Sequence, residues 1–158
     1  MKYSETIGIV GGMGSYATLD FFRRVLDAFP AEKEWDRPRV VIDNRCTMPS
    51  RVRAILYREE TAAVINELAG AVRGLLGCGA DHLIFACNTS HAFLRDVFRL
   101  VPEAEHKTVH IIDTLARRLH EADIRSAYLI ASEGTLQSNI YQQSFDRYGI
   151  QLNGPAPE

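Results

Sequence analysis

Cys87 is the residue on which a chemical reading of this chain turns. It closes the apolar run His82-Leu83-Ile84-Phe85-Ala86 and is followed at once by Asn88-Thr89-Ser90-His91, so a strand ends in a thiol and passes into residues that cap helices. Thr89 or Ser90 is expected to cap a helix continuing through residues 92–98, which would set Cys87 among free backbone N–H groups at the positive end of that helix. A free cysteine has a pKa of about 8.5, and such a site favours the thiolate, the form that acts as base or nucleophile. The same N–H groups suit a substrate carboxylate.

Other residues could share that chemistry. Gly12-Met13-Gly14-Ser15-Tyr16-Ala17 follows an apolar run and fits G-x-G-x-x-A. With Asp43 as an acidic ribose ligand the pattern suits a dinucleotide site; without it, the turn is a tight strand-to-helix connection at which substrate meets backbone. In Pro49-Ser50-Arg51 the proline stiffens a loop that would aim a guanidinium at a carboxylate, although Arg53 and Arg58 lie close by and spacing alone does not choose among them. Ser132-Glu133-Gly134-Thr135 offers small hydroxyls and N–H groups at another helix start, which an ordinary N-cap explains equally well. His91 is expected to cap or pack behind Cys87. No further Cys or His has the spacing of a metal site. Cys46 sits in a polar loop, and Cys78 in Leu75-Leu76-Gly77-Cys78-Gly79 reads as a small buried residue at a helix end.

The elements that must position these residues alternate. Strands are expected at residues 6–10, 39–43, 82–87, 110–112 and 127–131, and helices at 17–29, 55–76, 92–100, 113–122 and 136–148. The longest helical segment places Ala62, Ile65, Ala69, Val72 and Leu76 on one face. Such alternation means right-handed βαβ units and an α/β fold, a mainly parallel sheet flanked by helices. Ligands of open parallel sheets bind outside the carboxyl ends of the strands. Gly11 to Gly14, Asn44 to Arg51, Cys87 to Thr89 and Ser132 to Thr135 should therefore converge on one rim.

Composition bounds the partners. The chain has 158 residues, 46% apolar and 24% charged, with a net charge of −2 and both signs interspersed. That leaves no broad basic field for nucleic acid or an anionic membrane surface. No apolar run approaches a membrane span, and the N-terminus turns into a strand without a signal-like segment. Three cysteines make no even disulfide framework, which points to a reducing cytoplasm.

Taken in order, four segments resemble the aspartate/glutamate racemases, specifically the aspartate-racemase-like, cofactor-independent branch. Ile7-Gly8-Ile9-Val10-Gly11-Gly12-Met13-Gly14 with Ala17-Thr18 is similar to the family's opening strand and turn, and differs from the D-S-G opening of the cell-wall glutamate racemases. Cys87-Asn88-Thr89-Ser90-His91 is similar to the first catalytic cysteine motif. Pro49-Ser50-Arg51 resembles the loop of a substrate-binding arginine, with Ser50 where many members carry Asp. Ala131-Ser132-Glu133-Gly134-Thr135 resembles an A-T-x-G-T turn, with Ser132 for threonine.

The resemblance implies that Cys87 exchanges the α-proton of an acidic amino acid, aspartate before glutamate, without a cofactor. It makes Gly12, Met13, Asn44, Arg51, Asn88, Thr89, Ser132, Gly134 and Thr135 the substrate-binding set. It also implies a homodimer and a pseudo-symmetric two-domain molecule, with residues 1–107 as the first domain and 108–158 as the beginning of the second. The family's second cysteine lies in a G-C-T-E-like segment, and this chain stops at Glu158 before one, with no terminating pattern in residues 154–158. The second domain is therefore expected to be incomplete and the chain not to racemise by itself. A Rossmann-like dinucleotide-binding domain and an inactive carboxylate-binding remnant are the competing expectations.

Overall fold

Strand β1 (Thr6–Gly11) is buried at every residue, as a β-branched run without alternation requires when both faces of a sheet are covered. In the computed structural model, which describes residues 3–154, it is the central strand of a parallel sheet ordered β2-β1-β3, with β2 (Arg39–Asn44) and β3 (His82–Phe85) at its sides. The tail beyond Gly154 lies outside the described residues. Helix α1 (Ser15–Ala28) covers one face, packing Val25, Phe21 and Phe22 against Ile7 and Ile9. Helix α3 (Thr61–Gly77) covers the other, where Val64, Leu68, Ala69, Ala71 and Val72 join Val10, Leu83 and Phe85 with no exposure to solvent. Each buried Val or Leu there contributes about 1.5–3 kcal/mol, which makes α3 the main anchor of the sheet. Among the described residues no helix is long and apolar enough to cross a membrane.

The turn after β1 is built from close approaches that side chains would block. Gly12 has φ +81°, and a Cβ there would overlap the backbone of Arg45 in the loop after β2; one on Gly11 would overlap Thr18. Thr18 Oγ1 accepts the Gly12 N–H at 3.1 Å and donates to the Gly14 carbonyl at 2.9 Å, stapling the turn to the first coil of α1. Arg45 in turn pairs with Asp43 at 2.7 Å and Glu67 at 2.9 Å, tying the β2 loop to α3.

Several expectations need correction. The helix expected at residues 55–76 is two helices, α2 (Arg51–Leu56) and α3, because the chain turns through left-handed Arg58 and Glu60 (φ 57° and 51°). Ser50 is the N-cap of α2, its hydroxyl accepting from Arg53 N at 3.3 Å, so Pro49-Ser50-Arg51 is a helix start. No strand forms at residues 110–112. A single bridge joins Leu83 and Thr108, after which the His110 ring accepts the Asp113 N–H at 3.3 Å and starts helix α5 (Ile111–Glu121).

The helix expected at residues 136–148 also divides, into α6 (Glu133–Gln137) and α7 (Ile140–Arg147), at left-handed Asn139. Strand β4 (Ser126–Tyr128) pairs in parallel with β5 (Gln151–Asn153), a strand with one apolar residue and so without a periodic signal. This second sheet has its own apolar cluster, centred on Ile112, Ala116, Tyr141, Phe145 and Ile150. Helix α4 (Leu94–Leu100) packs on α3.

Because left-handed backbone and close approach coincide at Gly12, Gly12→Ala is expected to destabilise the fold by about 2–4 kcal/mol in urea unfolding. Gly14→Ala, at an extended residue whose Cβ would meet nothing within 4 Å, should stay within about 1 kcal/mol of the parent. Equal losses at the two positions would refute this account of the turn.

Candidate active site

Beyond β3 the Ala86 N–H still reaches the Val10 carbonyl at 3.0 Å, and the next residue, Cys87, is half-buried at the carboxyl edge of the sheet. The Cys87 carbonyl accepts from Ser90 Oγ at 2.7 Å and from His91 Nδ1 at 2.9 Å. With that oxygen held from below, the chain coils at once into a 3-10 turn (Thr89–Phe93), and the α-helix begins only at Leu94. Thr89 and Ser90 are therefore not α-helical N-caps: Ser90 serves the Cys87 carbonyl, and Thr89 faces another element.

The rim residues fall into three hydrogen-bonded sets. In the first, Thr89 Oγ1 meets Thr135 Oγ1 at 2.8 Å and Ser132 Oγ at 3.5 Å, and Tyr141 OH donates to Asn88 Oδ1 at 2.9 Å. In the second, Arg51 donates to the carbonyls of Met13 at 3.2 Å and Pro49 at 2.9 Å, bridging the loops after β1 and β2. Among the described residues its Nε is buried with no hydrogen-bond partner. In the third, Asn44, Ser15 and Cys46 bond one another at 3.1–3.2 Å.

Since β2 and β3 flank β1, Cys46 and Cys87 follow strands on opposite sides of the glycine turn. Gly134 is buried, and the Cβ it lacks would come within 3.1 Å of Val52, so it serves the packing of α6 on α2. Cys78 is exposed rather than buried: it ends α3, and Arg39 donates to its carbonyl at the far end of the sheet from the rim.

The dinucleotide reading loses its ligands here. Asp43 is occupied by Arg45, and the Gly12 N–H by Thr18. Among the described residues no group of three or more His, Cys, Asp or Glu is placed to hold a metal ion.

Behind Cys87 stands a buried histidine pair. His91 is 4% exposed, and its ring meets that of His110 edge-on with centroids 4.7 Å apart. The carbonyl acceptor at Nδ1 places the proton there, and among the described residues Nε2 is buried without a partner. Burial, then the neighbouring His110, lower the His91 pKa from 6.5 to about 4. The expectation that His91 packs behind the cysteine agrees with this geometry. Two cavities flank this loop. Cys87 and Asn88 line one of 270 Å³ against α1, and His91 and His110 line a larger one of 630 Å³ on the other side.

Sequence reasoning missed Ser15, Thr18 and Tyr141. The hydroxyl of Thr18, one turn into a helix that follows glycines, is a local signal for its staple. Tyr141 has none, being 53 residues from its partner.

A histidine kept neutral by the fold makes stability depend on pH in a definite direction. The His91 pKa is lower folded than unfolded, so its contribution is present above about 6.5 and is lost as pH falls towards 4. The loss is expected to approach about 3 kcal/mol over that window, and His91→Gln, which retains a donor for the Cys87 carbonyl, should flatten it. Urea unfolding at pH 7 and pH 4.5 measures both; an unchanged pH slope in the variant would assign it to other groups.

The Asp/Glu/Hydantoin racemase family model matches residues 10–158. The chain is 30% identical over 142 residues to the broad specificity amino-acid racemase RacX of Bacillus subtilis (strain 168), covering 87% of this chain and 59% of that protein. It superposes on the aspartate racemase of Picrophilus torridus with a TM-score of 0.85 and 26% identity, over 96% of this chain and 63% of the other. An aspartate racemase homologue from Pyrococcus horikoshii OT3 shares the fold, with a TM-score of 0.75 at 23% identity, over 96% of this chain and 65% of that one. The chain thus spans about three fifths of the length of these relatives. With a family model covering nearly the whole sequence and a matching parallel-sheet architecture, this chain belongs to the Asp/Glu/Hydantoin racemase family.

Proposed function

We propose that the chain provides an amino-acid racemase with one half of its proton-exchange chemistry, Cys87 acting as the base on one face of Cα of an acidic amino acid. The observation that carries this reading is the junction at Cys87. A half-buried thiol at the carboxyl edge of a parallel sheet is followed by an exposed amide, Asn88, and by a threonine tied to the Ser132-Thr135 turn.

In the reaction, the Cys87 thiolate takes the Cα proton and forms S–H. The electron pair left behind delocalises into the α-carboxylate, where N–H donors and arginine stabilise it. Gly12, Met13, Asn44, Asn88, Thr89, Ser132 and Thr135 line the rim for that carboxylate and for the rest of the substrate. Gly134 contributes by holding the turn, and Arg51 by its place beside Met13. Likeness to the Picrophilus torridus aspartate racemase supports aspartate as the first substrate, and likeness to RacX supports a broader range, glutamate included.

The reading requires no cofactor, and it includes a homodimer in the cytoplasm, a compartment that suits the free thiols Cys46, Cys78 and Cys87. It also includes a division at residues 107/108, supported by separate sheets and separate apolar clusters on either side. Inversion needs a proton delivered to the opposite face of Cα. Among the described residues Cys46 is the other thiol on this rim.

The expected result for the 158-residue chain in heavy water is deuterium uptake at Cα of aspartate, seen by proton NMR, with configuration retained on chiral chromatography. Cys87→Ser should reduce uptake at least a hundredfold, because an alcohol is far less acidic than a thiol. Undiminished exchange in that variant would remove Cys87 from the role. Aspartate binding without exchange in the parent would favour the inactive remnant. Racemisation at about one turnover per second or faster, lost in Cys46→Ser, would make Cys46 the second acid.

A further inference from the structure

Asn88 stands next to Cys87 with its side chain exposed, and the way its amide is turned decides what it can bind. One orientation offers two N–H donors to a carboxylate. The other offers a carbonyl oxygen that repels it. An isolated asparagine exchanges between the two by rotation about one bond.

The second sheet's apolar cluster supplies a partner for that amide. Tyr141, on α7, is 9% exposed and packs beside Phe145 with ring centroids 5.8 Å apart, which holds the ring and with it the phenol oxygen in place. That hydroxyl donates to Asn88 Oδ1 at 2.9 Å, and among the described residues Asn88 Nδ2 makes no hydrogen bond. Burial raises the pKa of the Tyr141 phenol, which stays a protonated donor at neutral pH. With the phenol hydrogen given to Oδ1, both amide hydrogens are left for the cleft.

We propose that Tyr141 is a positioning residue, which locks the Asn88 amide with its N–H donors facing the substrate carboxylate and so ties carboxylate binding at the Cys87 loop to the packing of α7. The proposal rests on the reading of the rim as an acidic amino-acid site. Thr89 is held in a parallel way by Thr135, so both residues that follow the cysteine are oriented by α6 and α7. The hydroxyl acts through the amide, without touching the reacting atoms.

The test is a double-mutant cycle on binding. L-aspartate and succinate are titrated by calorimetry into the parent chain, Tyr141→Phe, Asn88→Ala and the double variant. Tyr141→Phe keeps the ring in its cluster, and is expected to weaken both ligands about five- to tenfold, the ratio that one hydrogen bond of ordinary strength supports. In the Asn88→Ala background the same change should have no further effect. Ile150→Val, in the same cluster, is the packing control and should leave affinity unchanged. In the 15N-labelled parent, the Nδ2 pair, identified by its absence from Asn88→Ala, should shift on adding aspartate, and Tyr141→Phe should move it before any ligand is added.

Unchanged affinity in Tyr141→Phe, or an equal loss with and without Asn88, would overturn the positioning role and leave the assignment of the rim standing. Failure of the parent to bind either ligand at millimolar concentration would overturn the assignment of the rim itself, and the role of Tyr141 with it.

Discussion

The carbonyl oxygen of Cys87 accepts two side-chain hydrogen bonds from residues that follow it, Ser90 at 2.7 Å and His91 at 2.9 Å, and the shape of the rim depends on them. They pull the chain out of the sheet into a 3-10 turn, so that the thiol stays at the edge while Asn88 and Thr89 face the next element. The His91 bond comes from a buried neutral imidazole, and a charged ring there would need solvation that the packing around Phe85 and His110 does not supply. The backbone beside the cysteine is held by a group whose protonation the core controls.

Backbone proximity shapes the opposite side of the rim. Gly11 and Gly12 let the β1 turn lie against Thr18 and Arg45, and Arg45 is itself held by Asp43 and Glu67. Arg51 then joins the β1 and β2 loops through the carbonyls of Met13 and Pro49. An arginine whose terminal nitrogens are held by backbone acceptors is a brace first. Any further role toward a carboxylate uses the N–H groups that those bonds leave over.

The two sheets meet through polar groups as well as packing. Thr89 with Thr135, Asn88 with Tyr141 and His91 with His110 are three contacts within five residues of chain, and all of them reach α5, α6, α7 or their caps. A substrate bound at the cysteine therefore rests on groups oriented from elsewhere in the molecule. Small changes in how α6 and α7 sit would be felt at Asn88 and Thr89 before they were felt at the thiol.

The sequence by itself determined the α/β class, the first buried strand, the glycine turn, and the placing of Cys87, Asn44 and the Ser132-Thr135 turn at the carboxyl edge. These follow from periodicity, from β-branched runs and from the rule that parallel strands present their loops at one rim, all of which act over a few residues. Only the tertiary structure decided the breaks at Arg58, Glu60 and Asn139, the capping role of His110, the exposure of Cys78, the carbonyl partners of Arg51 and the bond from Tyr141 to Asn88. Left-handed backbone at residues other than glycine is unfavourable locally and is held by packing elsewhere, here of α2 on α6 and of α5 on α7. A hydrogen bond spanning 53 residues leaves no periodic trace in the chain, because it forms only where the folded sheet brings the two groups together.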